Sequence, residues 1–94
     1  MNDLIQDGLL ARYPEILGSL VDGIRCDDGW LDLLDALFDE ITRHCMSVGI
    51  PLPRARQVKE KNGSLRCYLA SKDDFIDGLV QMAEEISGRI CEVC

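Results

Sequence analysis

The stretch from Asp28 to Val48 reads DGWLDLLDALFDEITRHCMSV, and the rest of the chain has to pack around it. Apolar residues recur through it at the spacing of about 3.6 residues that is typical of an amphipathic α-helix. These residues are Trp30, Leu34, Leu37, Phe38, Ile41, Cys45 and Val48. The spacing predicts one long central helix, capped at its start by Asp27 or Asp28 and ended near Gly49.

Four aspartates lie on the opposite side of this predicted helix, at steps of four, three and four residues. Because each residue advances roughly 100° around a helix, their carboxylates form one narrow row. The row consists of Asp28, Asp32, Asp35 and Asp39. An ordinary solvated helix face and a surface for a cationic partner both explain it, and the pattern alone leaves the two open.

The composition predicts one soluble domain spanning residues 1–94, with 47% hydrophobic and 29% charged residues. Apolar runs are all shorter than the roughly 20 residues needed to cross a bilayer. The N-terminal sequence lacks the basic start and apolar block of a signal peptide. We therefore expect a cytoplasmic protein that does not bind membrane.

The net charge of −7 is unevenly distributed along the chain. The segment from Arg54 to Lys72 holds six basic residues and one acidic residue, and the remainder holds four basic and sixteen acidic residues. An acidic surface repels nucleic acid and favours basic partners. We therefore expect a protein partner and no direct nucleic-acid contact, although acidity that serves solubility alone is the simpler alternative.

Residues 56–69 predict a β-hairpin around Asn62-Gly63, because Asn-Gly supplies the two positive φ angles of a type I′ turn. The resulting register places Lys59 opposite Arg66, Lys61 opposite Ser64 and Val58 opposite Cys67. One face then carries Lys59, Lys61, Arg66 and Tyr68. Contact with nucleic acid is one interpretation of this basic face, and salt bridges to the acidic helices or to a second copy are the interpretation that we favour.

Short elements precede the central helix. Residues 3–12 predict a short helix ended by Pro14, residues 15–20 predict a second short helix or turn, and residues 21–29 are expected to be loop.

A second long helix is predicted after the hairpin, with Ser71 as its N-cap. Its predicted apolar side consists of Phe75, Ile76, Leu79, Val80, Met82, Ala83, Ile86, Ile90 and Val93. Its far side carries a second carboxylate row formed by Asp73, Asp77 and Glu84. Because an isolated hairpin is marginal in water, we predict an α+β domain with two long amphipathic helices, short N-terminal helices and one hairpin packed on them.

Two motifs invite a chemical interpretation. Cys91 and Cys94 form a C-x-x-C, which is half of a zinc site, whereas tetrahedral zinc takes four ligands. We expect inert thiols, with zinc or redox chemistry as alternatives.

His44 has no nucleophile and orienting acid beside it in the sequence, as a catalytic base would need. We expect it to be exposed or to cap the central helix. We therefore expect neither enzymatic activity nor a cofactor.

The sequence also resembles a group of small uncharacterised phage and prophage proteins. The resemblance rests on residues 57–68 (QVKEKNGSLRCY), 82–94 (MAEEISGRICEVC) and 29–34 (GWLDLL), and covers roughly residues 13–94. Such proteins typically carry an aromatic residue where this chain has Asn62 and Cys67. They often continue into a second cysteine pair, which would complete a zinc site.

A phage origin implies a class of function, because short acidic phage proteins often inhibit host defence, as anti-CRISPR proteins do. We therefore expect a non-enzymatic inhibitor that mimics nucleic acid and occupies a basic groove of a host protein or ribonucleoprotein defence complex. The expected contact residues are Asp28, Asp32, Asp35, Asp39, Asp73, Asp77 and Glu84. The alternative is a small zinc-binding or structural phage protein that acts as a homodimer.

Overall fold

A computed structural model describes residues 1–91 of the chain. Its helices are α1 (Asp3–Arg12), α2 (Pro14–Leu17), α3 (Leu31–Val48) and α4 (Asp74–Ser87), and its strands are β1 (Ile24–Arg25), β2 (Ala55–Lys61) and β3 (Ser64–Leu69). Within residues 1–91 the fold is therefore mixed α+β, with four α-helices and a three-stranded sheet in the order β1-β2-β3. The predicted fold class is confirmed, and the sheet has one strand more than the hairpin.

Helix α3 is the predicted central helix. Its buried residues are Leu34, Leu37, Phe38, Ile41 and Cys45. A single 3-10 turn, Asp28–Trp30, precedes it and places Trp30 at the N-cap position, so the prediction that Asp27 or Asp28 caps α3 is wrong. Gly49 ends α3 in the left-handed conformation at φ 73°, as predicted. Val48, on the predicted apolar side, is the last residue of α3 and is 54% exposed.

The hairpin has the predicted turn and register. Asn62 and Gly63 take φ angles of 55° and 83°, and Lys59 pairs with Arg66. The loop predicted at residues 21–29 contains β1, which pairs parallel to β2 and sets Arg25 beside Lys59. A two-residue strand is too short to show an alternating pattern, so this strand was missed.

Helix α4 packs against α3 and β3. Its buried residues are Ile76, Val80, Ala83 and Ser87. Phe75, Met82, Ile86 and Ile90 from its predicted apolar side are exposed instead, and Val93 lies outside the described residues. The N-cap is Asp73 rather than Ser71, because Asp73 has an extended backbone and its carboxylate accepts the Ile76 N–H at 2.8 Å.

One contact fixes the end of α4 on the core. The indole N–H of Trp30, which is fully buried, donates to the Ile90 carbonyl at 2.9 Å.

Among residues 1–91, the helices are all too short or too polar to cross a membrane.

Candidate functional site

Asp32, Asp35 and Asp39 lie on the side of α3 that faces away from its buried residues, and Asp28 lies in the 3-10 turn that precedes α3. These four aspartates are called the α3 row below. Asp28 and Asp32 are exposed, and Asp35 and Asp39 are partly exposed. Asp28 Oδ1 accepts the backbone N–H of Asn2 at 2.8 Å. Asp32 makes no hydrogen bond or ion pair with any other described residue. Asp32 is therefore the exposed and unpaired member of the α3 row among the described residues.

Asp35 joins α3 to the N-terminal helices. Its Oδ1 accepts the Tyr13 hydroxyl at 2.6 Å, and its Oδ2 accepts Arg12 Nη1 at 2.7 Å. The Tyr13 hydrogen bond, followed by that of Arg12, lowers the pKa of Asp35 below its ordinary value. Burial and the same hydrogen bond raise the pKa of Tyr13 to about 12. Asp35 therefore has a structural role, which the sequence pattern did not indicate because Tyr13 is 22 residues away.

Asp39 forms an ion pair within α3. Its Oδ2 accepts Arg43 Nε at 3.0 Å, one helical turn away, and both side chains are largely exposed. Pairs of this kind contribute only about 0.3–0.5 kcal/mol. A partner with a guanidinium group can therefore displace Arg43 at little cost.

Asp73, Asp77 and Glu84, called the α4 row, have contacts of a different kind. Asp73 caps α4, and its Oδ2 lies 2.6 Å from Nε2 of His44. The His44 side chain is only 14% exposed and its ring stacks on Phe75 with 4.2 Å between centroids. The His44 hydrogen bond, followed by the Ile76 N–H, lowers the pKa of Asp73. His44 is thus a partly buried link between α3 and α4, and the expectation of an exposed or capping histidine is wrong.

Asp77 and Glu84 also have intramolecular partners. Asp77 accepts Lys72 Nζ and Gln81 Nε2, each at 2.7 Å, and the Lys72 contact lowers the pKa of Asp77. Glu84 Oε2 accepts the backbone N–H of Cys67 at 3.1 Å. Glu84 therefore covers a donor of the sheet edge.

The β3 edge explains why Glu84 points inward. β3 is the last strand of the sheet, so its outer N–H groups have no neighbouring strand. Ser87 Oγ accepts the Leu65 N–H at 2.8 Å, and Glu84 accepts the next outward N–H, that of Cys67. Satisfying such an edge with side chains prevents it from pairing with another chain. The two rows thus differ in degree, since Asp32 and Asp39 of the α3 row have no contact or only a surface ion pair, whereas each carboxylate of the α4 row has a partner within the fold.

The cysteines are mostly buried. Cys26, Cys45 and Cys67 lie in the core, and burial raises the pKa of Cys67 to about 12. Cys91 is exposed, and Cys94, its predicted partner in the C-x-x-C, lies outside the described residues. Within residues 1–91, no three His, Cys, Asp or Glu side chains are grouped as metal ligands.

Helix α4 carries an apolar stripe that the fold covers only in part, through the His44 ring on Phe75 and the packing of Leu79 on the core. It consists of Phe75, Leu79, Met82 and Ile86, spaced by four, three and four residues. Phe75 is 53% and Met82 62% exposed, and Leu79 is partly buried. The predicted apolar side of α4 is therefore two faces, one in the core and one in solvent.

The outer face of the sheet is basic. Arg25, Lys59 and Arg66 are neighbours across the three strands, and Tyr68 lies beside them. Lys59 Nζ is 5.9 Å from the centroid of the Tyr68 ring. Neither these three cations nor Lys61 forms an ion pair with a carboxylate of residues 1–91, so the predicted salt bridges to the acidic helices of the same chain are wrong, and those to a second copy stay a prediction. We call Arg25, Lys59, Arg66 and Tyr68 the basic sheet face.

We compared the chain with protein families, curated proteins and solved structures. No family model matches the chain, and neither a curated protein nor a solved structure is significantly similar to it.

Proposed function

We propose that this protein is a phage-encoded, non-enzymatic inhibitor of a host defence complex, of the anti-CRISPR kind. The α3 row would occupy a basic groove that the complex uses for nucleic acid. The single observation that carries the proposal is the exposure of the row along one side of α3, with Asp32 unpaired and Asp39 only weakly paired.

The spacing of the row supports nucleic-acid mimicry. Residues three or four apart rise about 4.5–6 Å along a helix, which is similar to the separation of successive phosphates on one strand. A groove lined with Arg and Lys releases counterions when it binds phosphates, and a row of carboxylates can take their place. The phage assignment rests on the resemblance of residues 57–68 and 82–94 to phage proteins.

The contact residues divide according to their intramolecular roles. Asp28, Asp32 and Asp39 are the recognition residues of the proposal. Asp35 contributes charge to the row while it holds Tyr13 and Arg12. The α4 row has a smaller part, because its carboxylates cap α4, bind Lys72 and cover the β3 edge.

A salt-dependent capture experiment tests this proposal. We expect the immobilised protein to retain a host defence complex from bacterial lysate at low salt and to release it at high salt, because exposed charges are screened. Asp32→Lys with Asp39→Lys should abolish capture. The control, Asp7→Lys with Glu15→Lys, makes the same change in net charge at exposed positions off the row. Equal capture by both double variants would refute recognition through the α3 row.

A second candidate function, a structural protein that acts as a homodimer, is favoured by the α4 stripe. Its four-three-four spacing reads the same in both directions. Two antiparallel copies of α4 would therefore place Phe75 against Ile86 and Leu79 against Met82 around a two-fold axis.

Sedimentation equilibrium with and without zinc distinguishes this candidate. Met82→Glu would convert a dimer to a monomer. Elemental analysis measures the zinc content. About one zinc ion per chain or per dimer, bound through Cys91 and Cys94, would favour the zinc-binding form of the homodimer.

A further inference from the structure

We infer that the basic sheet face binds single-stranded nucleic acid, with its cations on the phosphates and Tyr68 stacked on a base. This inference goes beyond the proposed function and does not depend on it, because the face lies on the sheet and not on α3. The sequence offers nucleic-acid contact as one interpretation of the hairpin face, and the structure adds Arg25 to that face through β1.

The cations form a row across the sheet. Arg25 is the register partner of Lys59 on the parallel neighbour, and Lys59 is that of Arg66 on the antiparallel neighbour. Adjacent strands lie about 4.8 Å apart, so the three side chains leave the sheet along a line roughly 10 Å long. Such a line can contact two or three successive phosphates.

Like charges in this arrangement reduce stability. Cations directly opposite each other on neighbouring strands repel, and carboxylates of residues 1–91 form no ion pair with Arg25, Lys59 or Arg66. A bound polyanion would remove the repulsion that the fold leaves uncompensated.

The surroundings contain acids that bound the site. Arg66 lines a shallow depression with Glu84 and Glu85, and its Nη1 donates to the Leu65 carbonyl at 3.2 Å. Asp22 lines another depression, beside Arg25 and Lys59. A polyanion on the row of cations therefore has acidic side chains close by at both depressions, which limits the length of strand that the face can hold.

Tyr68 favours an unpaired strand over other anions. It is 44% exposed and adjacent to Lys59, so an unstacked base can lie on its ring while a phosphate contacts the ammonium. A duplex hides its bases from such a ring, and this flat face has no helix or loop to enter a groove. A free phosphate or an acidic peptide would not use the ring in this way.

The net charge of −7 does not prevent binding at this face. The opposite side of the same strands buries Val58, Leu65 and Cys67, so the face points away from the core. At about 0.1 M salt the Debye length is about 10 Å, and charges farther away are largely screened.

The test is fluorescence anisotropy of a labelled oligothymidylate about 15 nucleotides long, at about 50 mM salt. We expect saturable binding whose logarithmic affinity falls with the logarithm of salt with a slope of about −2, as three phosphate contacts on a single strand predict. Tyr68→Ala should weaken binding roughly 5- to 100-fold through the loss of stacking.

Charge reversal provides the matched comparison. Lys59→Glu with Arg66→Glu should abolish binding. Arg54→Glu with Arg89→Glu changes the net charge equally at exposed positions off the face and should weaken binding less than about 5-fold. If the reversal does not fold, Lys59→Gln with Arg66→Gln takes its place. That variant should bind at least about 10-fold more weakly and melt at a higher temperature than the wild type, because the repulsion is relieved.

Three outcomes would overturn the inference. The first is that the oligonucleotide does not bind at protein concentrations of about 100 μM. The second is that the two Glu double variants lose affinity for it equally. The third is that the face binds an acidic peptide, or the α3 row of a second copy, instead of the oligonucleotide. Because the assay contains no defence complex, its failure leaves the proposed inhibitor function unaffected.

Discussion

Replacing Glu84 with Ala should destabilise the protein, although the sequence alone presents Glu84 as one carboxylate of a solvated row. The substitution removes the acceptor of the Cys67 N–H at 3.1 Å, in a partly buried position at the β3 edge. A net contribution of about 1.5–3 kcal/mol is typical of a hydrogen bond to a charged group, and partial exposure places this one near the lower end. We expect a loss of about 1–2 kcal/mol.

For a chain of 94 residues, 1 kcal/mol corresponds to roughly 4–8 °C in Tm, so the variant should melt roughly 5–15 °C below the wild type. The assay is urea or thermal unfolding followed by the fluorescence of Trp30, the only tryptophan, which is fully buried. Glu84→Gln retains a carbonyl acceptor and should lose less than about 1 kcal/mol.

Asp32→Ala is the matched control, since Asp32 is exposed and unpaired within the described chain. It should change stability by less than about 0.5 kcal/mol. If Glu84→Ala is as neutral as Asp32→Ala, the distinction between the two carboxylate rows is wrong, and the α4 row is a solvent-facing surface as well.

Three further predictions concern titration and reactivity. The pKa values of Asp35, Asp73 and Asp77 are lowered in the folded state, so the stability they contribute should be complete above the ordinary carboxyl pKa of 3.8 and lost as pH falls through the lower folded values. Urea unfolding near neutral pH and at about pH 3 measures this loss, which Asp35→Asn should reduce; a flat profile would contradict it. Tyr13→Phe should lower the free energy of unfolding by about 1 kcal/mol, because the hydrogen bond to Asp35 is lost. Because the pKa of Tyr13 is raised to about 12, the wild type should lose stability as pH rises from 10 to 12, and the Phe variant should not show that loss. Iodoacetamide should alkylate Cys91 but not Cys67 in the native protein, since Cys67 is buried and its pKa is raised to about 12. Peptide mass spectrometry measures the two rates of alkylation. If Cys67 reacts in the native protein as fast as in urea, the core opens and this prediction is wrong.

Local patterns predicted the elements whose signals lie within a few residues. The period of α3, the Gly49 end and the Asn62-Gly63 turn each depend on neighbours in the chain, and each appears in the structure. The second strand pairing does not, because Ile24 and Val58 are 34 residues apart and a two-residue strand has no period.

The candidate site shows the same division. Helical spacing located both carboxylate rows but gave no sign that Tyr13 and Arg12 bind Asp35, or that β3 uses Glu84 as an edge cap. These contacts depend on which helix neighbours which strand. The sequence predicted the part of the basic sheet face that lies on the hairpin, namely Lys59, Arg66 and Tyr68. It did not predict Arg25 there, because Arg25 joins Lys59 and Arg66 only through β1.

A plasmid-interference assay in bacteria with an active CRISPR system tests the recognition role of the α3 row most directly. Cells that express the wild-type protein should accept a targeted plasmid, and so should cells that express Asp7→Lys with Glu15→Lys. Cells that express Asp32→Lys with Asp39→Lys, at equal protein level and helix content, should reject it. Acceptance of the plasmid by cells carrying the α3-row variant, or rejection by cells carrying the wild type, would contradict the account.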